Sequence, residues 1–317
     1  MRVLFENTEP YKTHQFVRNG QLLWVEESGN PKGFPVLFLH GGPGSGCKPH
    51  HRGFFDPRKF RILLHDQRGC GQSIGNLDRS NNTTQQILED LNFIQDVLAI
   101  PKWLLFGGSW GATLALLYAE EWPSRVAAMV LRGAFLARER DLDWFIGSEG
   151  VSRIYPEAWR SLLASAGCTD PSELVKLLNA GLHSSNESEV LRLALAWHQW
   201  GRVVTLGDAA SRTDAVDPKH VGQVISQARI EVHYAHHRYF ISENHILQNI
   251  DRVSSIPARI IHGRRDLVCP PDVALSLLDA MPHAKLELLE SSAHVPTDLS
   301  MISALMEATE EMAEARL

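Results

Sequence analysis

Cysteine is scarce in this 317-residue chain, and its four copies, Cys47, Cys70, Cys168 and Cys269, lie far apart with no C-x-x-C pair. A disulfide framework or a cysteine-based metal site is therefore not expected, and a reducing compartment is the simpler setting. Long apolar runs are also lacking. No stretch approaches the ~18 uninterrupted apolar residues of a membrane span. The opening Met1-Arg2-Val3-Leu4-Phe5-Glu6 meets charge too early to read as a signal peptide. A large excess of either charge is lacking as well: 31 Lys and Arg against 37 Asp and Glu leave a formal net value of −6, which argues against nucleic acid or an anionic membrane as partner. There is no internal repeat and no low-complexity tract. A cytoplasmic, soluble protein is expected. The hydrophobic fraction of 44% and charged fraction of 21% are ordinary for a globular chain, which at this length buries a core without staples.

Strands alternate with helices. Gln15–Val17 and Leu22–Glu26 flank Asn19-Gly20, a hairpin turn whose residues both tolerate positive φ. Val36–Leu39 is an apolar run halted by His40-Gly41-Gly42-Pro43-Gly44, and Phe60–Leu64 is another, halted at Asp66-Gln67-Arg68-Gly69. A helix is expected from about Thr84, with Ile87, Leu91, Ile94 and Leu98 on one face, Asn82 or Thr83 as its cap and Pro101 beyond its end. Trp103–Phe106 reads as a strand, Ala112–Glu121 as a helix and Val126–Leu131 as a strand. Such alternation implies a parallel sheet covered on both faces. The rhythm then changes: residues 138–250 favour helix and carry half of the eight tryptophans, Trp144, Trp159, Trp197 and Trp200. Alternation resumes with Ala258–Ile261, a helix near Asp272–Leu278, the strand Lys285–Leu289 and a terminal helix. The expected organisation is one α/β domain, residues 1–137 and 251–317, interrupted by a helical cap, residues 138–250.

Gly107-Gly108-Ser109-Trp110-Gly111 matches G-x-S-x-G between a predicted strand and a predicted helix. In that context it is a nucleophile elbow, with Ser109 Oγ projecting above the sheet at a helix start. A serine hydroxyl needs a base to take its proton. In this class of fold the partners follow in the order Ser, acid, His. Asp266 lies at the end of the strand Ala258–Ile261, and His294 lies after the last strand, so Ser109, Asp266 and His294 form the expected catalytic set. His262 stands a loop early, and His283 precedes its strand and belongs at the opposite edge. Two oxyanion donors are needed. The backbone N–H of Trp110 supplies one, and Gly42 in the glycine loop the other. His233, His236 and His237 lack a recurring acidic or thiol partner, so an aromatic-and-histidine face is expected there in place of a metal site. Cys70 and Cys269 lie near the motif loops without a catalytic role. The fold class is α/β, an α/β-hydrolase fold.

These segments resemble the proline iminopeptidase family, α/β-hydrolase peptidases that remove N-terminal proline. The resemblance runs from about Thr13 to the C-terminus. It rests on His40-Gly41-Gly42-Pro43-Gly44, on Asp66-Gln67-Arg68-Gly69-Cys70-Gly71-Gln72-Ser73 and on the elbow. Three cap segments extend it: Val130-Leu131-Arg132-Gly133-Ala134-Phe135, Ser152-Arg153-Ile154-Tyr155-Pro156-Glu157-Ala158-Trp159 and Ala228-Arg229-Ile230-Glu231-Val232-His233-Tyr234. The resemblance implies that Phe135 packs the proline ring and Glu231 binds the free amino group, with no metal and no cofactor. One position departs from the family pattern W-x-x-W-E. Here the segment reads Trp197-His198-Gln199-Trp200-Gly201, leaving Gly201 where a second amine-binding Glu is expected and Glu149 or Glu243 as candidate substitutes. A related esterase, amidase or broader aminopeptidase is the alternative, and a ligand-binding protein without turnover is a third reading. A dehalogenase or epoxide hydrolase is disfavoured, since the elbow presents Ser where those enzymes need Asp.

Overall fold

The structure, a computed structural model, describes residues 1–73, 79–207, 210 and 216–314. The first strands are β1 (Lys12–Arg18), β2 (Gln21–Gly29), β3 (Phe34–Leu39) and β4 (Phe60–Asp66). Helix α1 (Thr84–Val97), β5 (Trp103–Gly108), α2 (Trp110–Glu121) and β6 (Val126–Arg132) follow. Asn19 and Gly20 turn the first hairpin with φ of 50° and 74°. Thr83 caps α1 by accepting from Gln86 N at 3.3 Å. The helix expected from Ala112 begins at Trp110, directly after Ser109.

After β6 come α3 (Glu139–Ile146), α4 (Pro156–Ala166), α5 (Leu174–Leu182), α6 (Glu187–Leu206), α7 (Val221–His236) and α8 (His245–Asn249). Among the described residues this stretch contains no strand. The alternation closes with β7 (Ala258–Gly263), α9 (Pro271–Ala280), β8 (Lys285–Leu289) and α10 (Leu299–Glu314).

The eight strands form one sheet in the order β1-β2-β4-β3-β5-β6-β7-β8. From β4 to β8 all neighbours run parallel, and β1 and β2 add an antiparallel edge. Strands β5 and β6 are buried at every residue, as parallel strands covered on both faces should be. Period-two alternation sorts the side chains of β3 and β5: Leu37 and Leu105 join α1, α2 and α9 on one face, whereas Val36, Phe38, Leu104 and Phe106 join α10 on the other. The helical stretch has its own core around Trp159, Trp197, Trp200, Leu174 and Leu178. Trp159 and Trp200 fill that core, and Trp197 both fills it and lines the neighbouring cavity.

Topology also sets where a site can form. The chain leaves β3 for β4 on one side and returns to β5 on the other. The loops after β3 and β5 therefore diverge and open a crevice at the carboxyl ends of the strands, the usual ligand position in such sheets.

Candidate active site

Ser109 stands in that crevice. It joins β5 to α2 with φ 56° and ψ −124°, a conformation that costs a non-glycine residue roughly 1–3 kcal/mol. The turn is held by Ser109 N donating to Arg132 O at 2.8 Å and by Ala112 N donating to Ser109 O at 2.8 Å. Its glycines are demanded by contact: a Cβ on Gly111 would lie 2.0 Å from Leu39 O, and one on Gly107 would lie 2.2 Å from Gly111 O. Trp110 opens α2, so its N–H has no intrahelical acceptor. Its buried indole donates to Gln67 Oε1 at 3.0 Å.

Asp266 follows β7, buried. Its Oδ1 accepts from the backbone N–H of Val268 and of Cys269, each at 2.9 Å, and its Oδ2 faces His294 Nδ1 at 2.7 Å. Burial alone would raise the carboxyl; the charge of His294 and its hydrogen bond outweigh that and hold Asp266 below the usual carboxylate range. His294 follows β8 and lines the same cavity as Ser109. The structure joins His294 to Asp266 and makes no hydrogen bond between Ser109 Oγ and His294 Nε2. Such bonds are often long in unliganded sites.

The glycine loop after β3 brings Gly42 to the cavity with φ 111°, where a Cβ would meet Gly44 N at 2.7 Å. The loop is fixed from behind. Gln67 N donates to His40 Nε2 at 3.0 Å and Gln67 Nε2 donates to His40 O at 2.9 Å. Burial lowers the pKa of His40 to about 4, so it stays neutral and keeps that acceptor.

Helices α6 and α7 wall the other side of a cavity of about 330 Å³. Glu231, half-buried on α7, accepts from Trp197 Nε1 at 2.6 Å and Gln227 Nε2 at 2.8 Å. Burial raises its carboxyl, and these two bonds pull the other way without cancelling it. Phe135 lines the cavity with its ring against Tyr239, centroids 5.0 Å apart. Gly201 lines it too, and a Cβ there would meet nothing within 4 Å. Neither substitute acid reaches this wall: exposed Glu149 pairs with Arg153, and Glu243 accepts from Glu139 N.

His262 is buried and bonded to Cys269 O at 2.8 Å, 3.7 Å from Asp266, while His283 bonds Ile256 O. His233, His237 and Phe240 pack as rings, and among the described residues no cluster of acids, histidines and cysteines suits a metal. Two contributors escaped the sequence reading. Arg132, buried at the end of β6, donates to His294 O at 2.7 Å and lies 3.5 Å from His294 Nε2. Tyr239 packs on both Trp110 and Phe135. A charged residue ending a wholly buried strand was the available signal for Arg132; Tyr239 offered none.

The chain matches the alpha/beta hydrolase fold over residues 35–298. It is 39% identical over 297 residues to a proline iminopeptidase of Neisseria meningitidis, covering 92% of either chain. It is 36% identical over 318 residues to one of Xylella fastidiosa, covering 98% of this chain and 99% of that one. The chain belongs to the proline iminopeptidase family of α/β hydrolases. An alpha/beta fold family hydrolase from Bacillus anthracis shares the fold at a TM-score of 0.64 and 18% identity, covering 98% of this chain and all of that one. Within the proline iminopeptidase family the long relatives span the helical stretch as well as the sheet, so membership extends over both.

Proposed function

We propose that the chain is a serine exopeptidase that releases N-terminal proline from peptides. One observation carries the exopeptidase reading: a half-buried carboxylate, Glu231, lines the same small cavity as Ser109 and His294. A carboxylate there selects a substrate with a free ammonium next to the reacting carbonyl, through a charge-assisted hydrogen bond. Phe135 and Tyr239 supply an apolar wall suited to a pyrrolidine ring.

In this reading Ser109 Oγ attacks the prolyl carbonyl and its proton passes to His294 Nε2, with Asp266 holding the imidazole by Nδ1. The N–H groups of Trp110 and Gly42 receive the oxyanion. The C–N bond breaks as His294 returns the proton to the leaving amine. Water, deprotonated by the same imidazole, then frees proline from the acyl-enzyme. Residues 138–250 act as the cap over residues 1–137 and 251–317. The free, scattered thiols suit a reducing cytoplasm, where the partners are short peptides.

The open space at Gly201 favours a second reading, an amidase or esterase with relaxed demand for the amine. The two separate by kcat/KM on a proline arylamide and its N-acetyl form, with Ser109→Ala as blank. The exopeptidase prefers the free amine by at least about 30-fold, the lower end for an unpaired buried charge. Equal turnover of both substrates would sink it in favour of the second reading.

A further inference from the structure

The wall of α6 carries a second charge. Arg202 lines the cavity beside Gly201, and its Nε is buried without a hydrogen-bond partner. No carboxylate lies within ion-pair distance of its guanidinium among the described residues. Glu231 is in the mirror situation, for its two partners, Trp197 and Gln227, are neutral donors. Asp141, the other acid on the wall, is already satisfied by Arg138. One cavity thus holds a cation and an anion that do not neutralise each other. A buried polar atom left unpaired by protein in a concave site is open to a partner from water or from a ligand.

The spacing limits what that ligand can be. Trp197, which holds Glu231, and Arg202 are five positions apart on α6, about 7.5 Å along the axis. An extended dipeptide spans about 7 Å from amine to carboxylate. Gly201, with no side chain, leaves the path between them open. The volume of about 330 Å³ is at the lower end for ligand cavities, which suits a molecule of few residues.

We propose that Arg202 binds the α-carboxylate of the substrate, making this cavity a site for short zwitterionic peptides, dipeptides with N-terminal proline above all. The assignment rests on the proposed function, because Glu231 as amine site decides which end of the peptide meets Arg202. The ammonium sits at Glu231, the scissile carbonyl at Ser109 and the leaving residue runs over Gly201 to the guanidinium.

The test is binding of Pro-Gly and Pro-Gly-amide to the Ser109→Ala protein by calorimetry, repeated with Arg202→Gln and Arg202→Lys added. The free acid is expected to bind about ten- to a hundredfold more tightly than the amide, the range for one charge-assisted bond. With Arg202→Gln the ratio falls to near one, and with Arg202→Lys part of it returns. A ratio near one before the second substitution, a ratio untouched by Arg202→Gln, or no binding of either peptide would overturn the assignment. Turnover of the proline arylamide by the unaltered protein is read separately. Turnover without carboxylate preference defeats Arg202 alone, and carboxylate preference without turnover defeats the proposed peptidase activity alone.

Discussion

At the scale of single residues the site is governed by which atom each donor faces. Asp266 shows this most sharply. Its Oδ1 already takes two backbone N–H groups, from Val268 and Cys269, so an asparagine placed there must turn its carbonyl oxygen towards them. The amide NH₂ then meets His294 Nδ1 and forces that nitrogen to accept. The proton moves to Nε2, where it blocks uptake of a proton from Ser109. On the proposed assignment Asp266→Asn therefore lowers kcat/KM by about 10³- to 10⁴-fold, as the loss of correct tautomer does in triad enzymes. Proline arylamide kinetics on the folded variant decide it, and a loss below tenfold would remove Asp266 from the triad. These partners were legible in the sequence because each follows its own strand. Arg132 and Arg202 were not, because what matters about them is a contact or a missing contact across the fold. Arg132 reaches His294 from 162 positions away.

At the scale of elements, α2 does two jobs whose demands conflict. Its first turn presents the Trp110 N–H to the crevice, and the remainder is packed into the sheet core, buried from Trp110 to Glu120. A helix after Ser109 was foreseeable from the sequence, although it begins at Trp110, two residues before the expected Ala112. Its last buried residue was not: Glu120 is only 3% exposed, and neither carboxylate oxygen has a hydrogen-bond partner, the ring Nε2 of His245 standing 3.6 Å from Oε2. Burial raises its pKa to about 8, with the charge of Arg252 opposing. The unfolded chain ionises Glu120 near the ordinary value of 4.5, while the folded chain holds the proton until about pH 8. Its contribution to stability is therefore full below pH 4.5 and is lost as pH rises towards 8, by a total on the order of 4 kcal/mol. Glu120→Gln removes that loss. Urea unfolding should find the variant about 2–4 kcal/mol more stable than the parent at pH 8 and little changed at pH 5. Equal stabilities at pH 8 would mean that Glu120 is ionised in the folded protein, its charge compensated by solvent or by His245.

For the whole molecule the issue is whether the helical stretch and the sheet open together. The sequence marked the stretch as separate by its composition, and it does have its own core around Trp159, Trp197 and Trp200. Composition could not show that α7 belongs to both cores. Val232 and Ala228 pack with the tryptophans, whereas Tyr234, on the opposite side of the same helix, is fully buried in the core of the sheet. Further ties cross the boundary: Tyr234 OH donates to Asn82 Oδ1 at 2.9 Å, Gln85 Nε2 to Phe240 O at 2.7 Å and Trp144 Nε1 to Leu267 O at 2.9 Å. Peeling the helices away would expose Tyr234 and the face of Trp110 it covers, an aromatic contact with centroids 5.3 Å apart. Exposing a large aromatic side chain costs about 1.5–3 kcal/mol, and each broken hydrogen bond adds about 1 kcal/mol. Such a penalty favours one cooperative unit. Peptide-resolved hydrogen exchange should then give α6 and α7 the same opening free energy as β5 and β6. Tyr234→Ala should uncouple them, with α6 and α7 exchanging at lower free energy while β5 is less affected. Faster exchange of α6 and α7 already in the unaltered protein would instead make the helical stretch an independent lid, and access to Ser109 would be set by its opening.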